Sequence, residues 1–224
     1  MAMRLWGRAV GGRPETTRVH RSVRPRARGV RSAVARVTLS LILLTAATPE
    51  ASAISVIAPV GYRAFCLRFP SDDLCHARGA EVTLTLTPWL EELLSDINIY
   101  WNHRLTWASD ETLYGRAEYW TVPTGGEGDC EDYALAKYGQ LRRLGVPGGA
   151  LSLVYGKLKT TGEGHAVLSV HTDQGLLVLG STMDDVLPLA ASEIAPVLVE
   201  DARLPAMWTA VQPAPEGSTI VADH

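Results

Sequence analysis

Gly128-Asp129-Cys130-Glu131-Asp132-Tyr133-Ala134 sets one cysteine where an irregular, glycine-rich connection gives way to a helical pattern. The connection, residues 105–128, holds Gly115, Pro123, Gly125, Gly126 and Gly128. The helix is expected from near Asp129 to Leu144, with Ala134, Lys137, Tyr138 and Leu141 inside and Gly145 and Pro147 ending it. At a helix start the backbone N–H groups lack intrahelical partners and the dipole is positive, which favours thiolate over thiol. The flanking carboxylates of Asp129, Glu131 and Asp132 oppose that effect. An imidazolium or a bound cation is needed to offset them.

Downstream, residues 150–158, 165–171 and 176–179 are β-type runs separated by the turn-rich stretches 160–164 and 172–175. His165 opens the second run, after Gly164. Held on a strand and reachable past a glycine turn, it is the expected proton acceptor for Cys130. Upstream, Thr87-Pro88 has the form of an N-cap and first helical position. Leu90, Leu93, Leu94, Ile97 and Trp101 then share one helical face. Helices followed by an antiparallel meander indicate an α+β fold, with helices packed on a small antiparallel sheet. Residues 54–82 read as irregular with one short strand. Trp101 and Trp107 read as core, and Trp120 as core or the cap of a groove. A metal pair of His165 and His171 lacks a third ligand.

Cys66 and Cys75, nine apart across a turn-like stretch, can close a small loop, which leaves Cys130 as the odd thiol. The charge is divided unevenly. Residues 1–53 carry ten Arg and two acids, whereas the rest carries 11 of 21 basic and 22 of 24 acidic residues. So acidic a body is unsuited to nucleic acid, whose phosphates need Lys and Arg. The longest apolar run, 37–47, is about half the length that spans a bilayer. A basic segment, this run, then Ala51-Ser52-Ala53 is the order of a secretory signal peptide cleaved after Ala53. Residues 1–53 are therefore expected to direct export to the periplasm or beyond, 54–204 to form one domain, and 205–224 to form a flexible tail. The mature chain is expected to be a monomer.

Asp96-Ile97-Asn98, Trp101-Asn102, Asp110, Tyr114-Gly115, Tyr119-Trp120, Pro123, the seven residues around Cys130 and Gly164-His165-Ala166-Val167-Leu168 follow one another in register. Together, over about residues 60–190, they resemble the bacterial transglutaminase-like cysteine peptidases, the LapG-type periplasmic proteases. The resemblance implies a papain-like, transglutaminase-like fold, a Cys-His-Asp triad and calcium held beside the nucleophile. It makes Cys130 the nucleophile, His165 the general base, and Asp129, Glu131 and Asp132 the calcium ligands. It also implies cleavage of a large surface adhesin and sequestration by an inner-membrane cyclic-di-GMP receptor.

The pattern breaks at one place. The third triad member should end the run Leu177-Val178-Leu179, and that position is Gly180. Asp184 or Asp185, from the following loop, Ser181 or water are the candidates to orient His165 instead. Without such a substitute the chain is an impaired relative that binds peptides without cutting them. A third reading is an acyltransferase that passes the thioester to an amine; no amine site is identifiable.

Overall fold

The computed structural model describes residues 54–211. The apolar run 37–47 and the proposed cleavage site lie outside them. Nine strands and four α-helices follow in order: β1 Ile54–Ile57, α1 Val60–Arg68, α2 Pro88–Arg104, β2 Thr106–Trp107, α3 Asp110–Tyr114, β3 Glu127–Gly128, α4 Cys130–Arg143, β4 Leu151–Leu158, β5 Gly164–Thr172, β6 Gly175–Leu179, β7 Leu187–Pro188, β8 Ile194–Glu200 and β9 Met207–Ala210. Seven strands form a sheet in the order β1-β9-β8-β4-β5-β6-β7, and β2 and β3 form a separate parallel pair. Within the large sheet every pairing of named strands is antiparallel. This is the expected α+β architecture.

Helix α2 begins as its sequence dictates, with Thr87 Oγ1 accepting from the Leu90 amide at 3.2 Å and Pro88 in the first turn. Its buried Leu90, Leu94 and Ile97 meet Ala134, Leu135, Tyr138 and Leu141 of α4 and Leu151, Leu153, Leu168 and Val170 of the sheet in one core. That apolar burial is the driving force that seats both helices on the strands.

Three expectations are corrected. Residues 54–82, expected as irregular with one short strand, hold that strand as β1 but also form helix α1 and a short helical turn at Asp73–Cys75. The Cys66–Cys75 disulfide joins α1 to that turn. The tail expected from Pro205 contains β9, which lies between β1 and β8 and buries Trp208 against Tyr62 and Trp120. Its alternating pattern is only four residues long, too short to outweigh the surrounding Pro and Ala in sequence. Trp107, expected in the core, is 66% exposed because it sits on the two-residue strand β2, which has no layer packed over it. Trp120 is core, with 1% of its surface exposed.

Candidate active site

Cys130 is the first residue of α4 and the only free cysteine among the described residues. Its Sγ donates to Glu131 Oε2 at 3.2 Å and lies against the backbone amide of Ala166, the residue after His165. The fold thus brings the head of α4 onto the head of β5. Burial pushes the Cys130 thiol well up, and the adjacent Glu131 carboxylate adds to this, outweighing the Ala166 amide.

The parallel pair β2–β3 lays residues 106–107 beside 127–128, and the Ala108 amide continues it by donating to Gly128 O at 3.0 Å. This places Asp110, at the start of α3, against Asp129. Asp129 Oδ2 accepts from the Asp110 amide at 3.1 Å, Asp132 Oδ1 from the Thr121 amide at 2.8 Å, and Asp110 Oδ2 from the Tyr119 amide. Each carboxylate therefore spends one oxygen on the backbone. The other three oxygens, Asp110 Oδ1, Asp129 Oδ1 and Asp132 Oδ2, are buried without a partner. Ligand atoms of the three residues lie within 4.8 Å of one another. Burial, together with repulsion from Asp129 and Asp110, pushes the Asp132 carboxyl up to about 8. Gly128 admits this cluster, because a Cβ there would lie 2.7 Å from Asp132 Oδ2.

Of the three expected metal ligands, Asp129 and Asp132 thus converge with Asp110. Glu131 turns its carboxylate to Cys130 and belongs with Asp129 and Cys130 in an adjoining group. Asp110 was visible in the sequence as part of the register. Its place beside Asp129 was not, because 19 residues separate the two and the β2–β3 pairing closes that gap.

His165 is buried on β5, opposite Gly156 of β4. Neither Asp184 nor Asp185 orients it. Asp184 is half exposed, 2.9 Å from His103 Nε2, and accepts from Asn102 Nδ2 at 3.1 Å; Asp185 is exposed. The loop is drawn to α2 because Asn98 Nδ2 donates to the carbonyls of Met183 and Asp184, and Asn102 Nδ2 to that of Met183. The carboxylate near the imidazole is instead Glu193, whose Oε1 is 3.7 Å from His165 Nε2. Sequence reasoning missed it because it lies 28 residues from His165, beyond the motifs that carry the family resemblance. His171 stands apart, with Ser152 Oγ at 3.2 Å and Glu81 at 3.5 Å, and forms no metal-ligating group with His165 among the described residues.

Beneath Gly180, the buried Lys137 ammonium donates to Gly180 O at 2.7 Å, Asn98 Oδ1 at 2.8 Å and Asn102 Oδ1 at 2.7 Å. Burial brings its pKa down to about 7. All three of its N–H bonds are used, which ties α4, α2 and the end of β6 together.

Residues 53–216 match the family model of the bacterial transglutaminase-like cysteine proteinases (BTLCP). No curated protein sequence matches significantly. Among solved structures, calcium-bound LapG of Legionella pneumophila is 26% identical, with 61% of this chain and 77% of that chain covered and a TM-score of 0.48. The same organism's LapG gives 28%, 56%, 71% and 0.46, and its EGTA-treated form 29%, 53%, 66% and 0.45. With a helix-borne cysteine, a strand-borne histidine and a family match over most of its length, the chain belongs to the bacterial transglutaminase-like cysteine proteinases.

Proposed function

We propose that the chain is an exported cysteine endopeptidase in which Cys130 attacks a peptide carbonyl and His165 manages the proton. The observation that carries this reading is the Cys130 Sγ seated against the Ala166 amide, one residue from His165. The imidazole accepts the thiol proton, the thiolate forms a C–S bond, and the imidazolium returns the proton to the leaving amine. Water then attacks the thioester and frees Cys130. The Cys130 backbone N–H, at the first position of α4, is available to the developing oxyanion.

Three carboxylates clustered within 4.8 Å, each with one buried oxygen lacking a partner, fit a hard divalent cation, and calcium is the cation assigned to Asp110, Asp129 and Asp132. Bound there, it supplies positive charge beside Cys130 and offsets the carboxylates that disfavour the thiolate. Family membership supports a large surface adhesin as substrate and a cyclic-di-GMP receptor of the inner membrane as regulator. The order of residues 1–53 supports export, and a monomer is the working state.

The test is alkylation of Cys130 by iodoacetamide across pH, with and without calcium. Reaction near neutrality faster than that of free cysteine, and lost in His165→Ala, is expected. A rate like that of free cysteine in both proteins would leave the peptide-binding reading instead. Product analysis with and without added amine separates hydrolysis from acyl transfer.

A further inference from the structure

Glu193 lies just before β8, on a different element from the vacant position at the end of β6. Its side chain nevertheless fills the space that a residue at 180 would occupy. A Cβ built on Gly180 would lie 2.9 Å from Glu193 Cδ and collide with its Oε1. Gly156 makes a second allowance. A Cβ there would run into the carbonyl of Ala195 and Ile194 Cγ1, so glycine at 156 lets the start of β8 close against β4, where the register shifts.

The approach is fixed from behind. The Lys159 amide donates to Glu193 O at 2.8 Å, and Lys159 Nζ donates to Ser192 O at 2.7 Å. The Ser192 hydroxyl and amide close a turn onto Leu189 O and Pro188 O. His165 Nε2 and Glu193 Oε1 are both buried, and neither has a hydrogen-bond partner among the described residues. At 3.7 Å they are a pair one small side-chain movement short of bonding. Catalytic hydrogen bonds are often long before substrate binds.

We propose that Glu193 is the positioning residue for His165, supplying from the β8 side the carboxylate that Gly180 cannot. Nε2–H donates to Glu193 Oε1, which fixes the tautomer and leaves Nδ1 as the nitrogen available to the Cys130 thiol. When Nδ1 takes the thiol proton, Glu193 stays ionised and stabilises the imidazolium without itself gaining a proton. Burial works to raise the Glu193 carboxyl, yet the His165 imidazole, with the Thr182 side chain, holds it below the usual carboxylate range. The glycine at 180 is then a complement to Glu193 rather than a lesion in the site. The assignment rests on the cysteine peptidase reading above.

Iodoacetamide alkylation of Cys130 at neutral pH, followed by intact mass in calcium-supplemented full-length protein, separates the role of Glu193 from the peptidase reading. Glu193→Gln is expected to slow alkylation roughly tenfold or more, because the amide still packs but no longer stabilises the imidazolium. Glu193→Asp should recover part of the rate. Combining Glu193→Gln with His165→Ala should be no slower than His165→Ala alone. The relocated pair Gly180→Asp with Glu193→Ala should react faster than Glu193→Ala, an outcome that packing alone would not produce. A wild-type rate in Glu193→Gln, with His165→Ala slowed, overturns the role of Glu193 and leaves the peptidase reading intact. Should His165→Ala itself react like wild type, both fall.

Discussion

At the residue scale, the site is governed by where carboxylate oxygens find partners. Asp110 Oδ1, Asp129 Oδ1 and Asp132 Oδ2 have none, so removing one of the three charges should weaken cation binding. Asp110→Asn is expected to lower calcium affinity at least tenfold by isothermal titration while keeping the Tyr119 amide bond. An unchanged affinity would remove Asp110 from the ligand set. Lys137 is the opposite case, a buried cation with every donor used. Lys137→Met leaves the Asn98 and Asn102 amide oxygens and Gly180 O without their shared donor. It should cost about 3 kcal/mol in urea unfolding, the usual consequence of stranding buried polar groups. A loss under about 0.5 kcal/mol would mean that water or a rearranged asparagine takes its place. Cys130 and His165 announce themselves by type and setting, whereas Glu193 and Asp110 are ordinary acids until the chain folds.

At the element scale, α4 is held at both ends. Its head carries Cys130; its last turn carries Arg142, which pairs with Asp73 at 2.7 Å, while Tyr138 also donates to Asp73. The Arg142 guanidinium holds the Asp73 carboxyl below its ordinary range, with burial opposing. A carboxyl with a depressed folded-state pKa contributes stability above its unfolded value, near 4, and loses it as pH falls through the lower folded value. Asp73→Asn should therefore be less stable than wild type at pH 7, with the gap closing below about pH 4. Asp73 is partly exposed, so the gap should be no more than about 1 kcal/mol in thermal or urea unfolding. A gap that persists at pH 2 would show that packing rather than charge is responsible. The Cys66–Cys75 link adds a second local constraint. Closing so short a loop is worth about 2–3 kcal/mol in the chain-entropy account, and reduction should lower the unfolding midpoint accordingly.

At the scale of the molecule, the two ends of the described chain meet. β9 pairs with β1 on one side and β8 on the other, and Trp208 packs edge-on to Tyr62 and Trp120. Trp208→Ala should cost about 3–5 kcal/mol. Ending the chain at residue 204 should prevent stable folding altogether, read as loss of the cooperative thermal transition. A stable truncated domain would show that β8 and β1 can close without β9. The same closure carries Glu193 to His165, because β8 is placed by its pairing with β4 and β9. An interior change such as Trp208→Ala should therefore reduce Cys130 reactivity as well as stability.

The sequence alone determined what depends on neighbours along the chain. The α2 cap at Thr87-Pro88, α4 from its glycine-rich approach to Gly145, and the β4–β5–β6 meander follow from local propensity and periodicity. So does a lone cysteine at a helix head. Tertiary structure decided everything that depends on separation being closed: Asp110 beside Asp129, β9 between β1 and β8, and Glu193 in the space of Gly180. Contacts between segments far apart in sequence leave no periodic trace, and a missing side chain in one strand is legible as a substitution only when the strand that fills its place is seen packed against it.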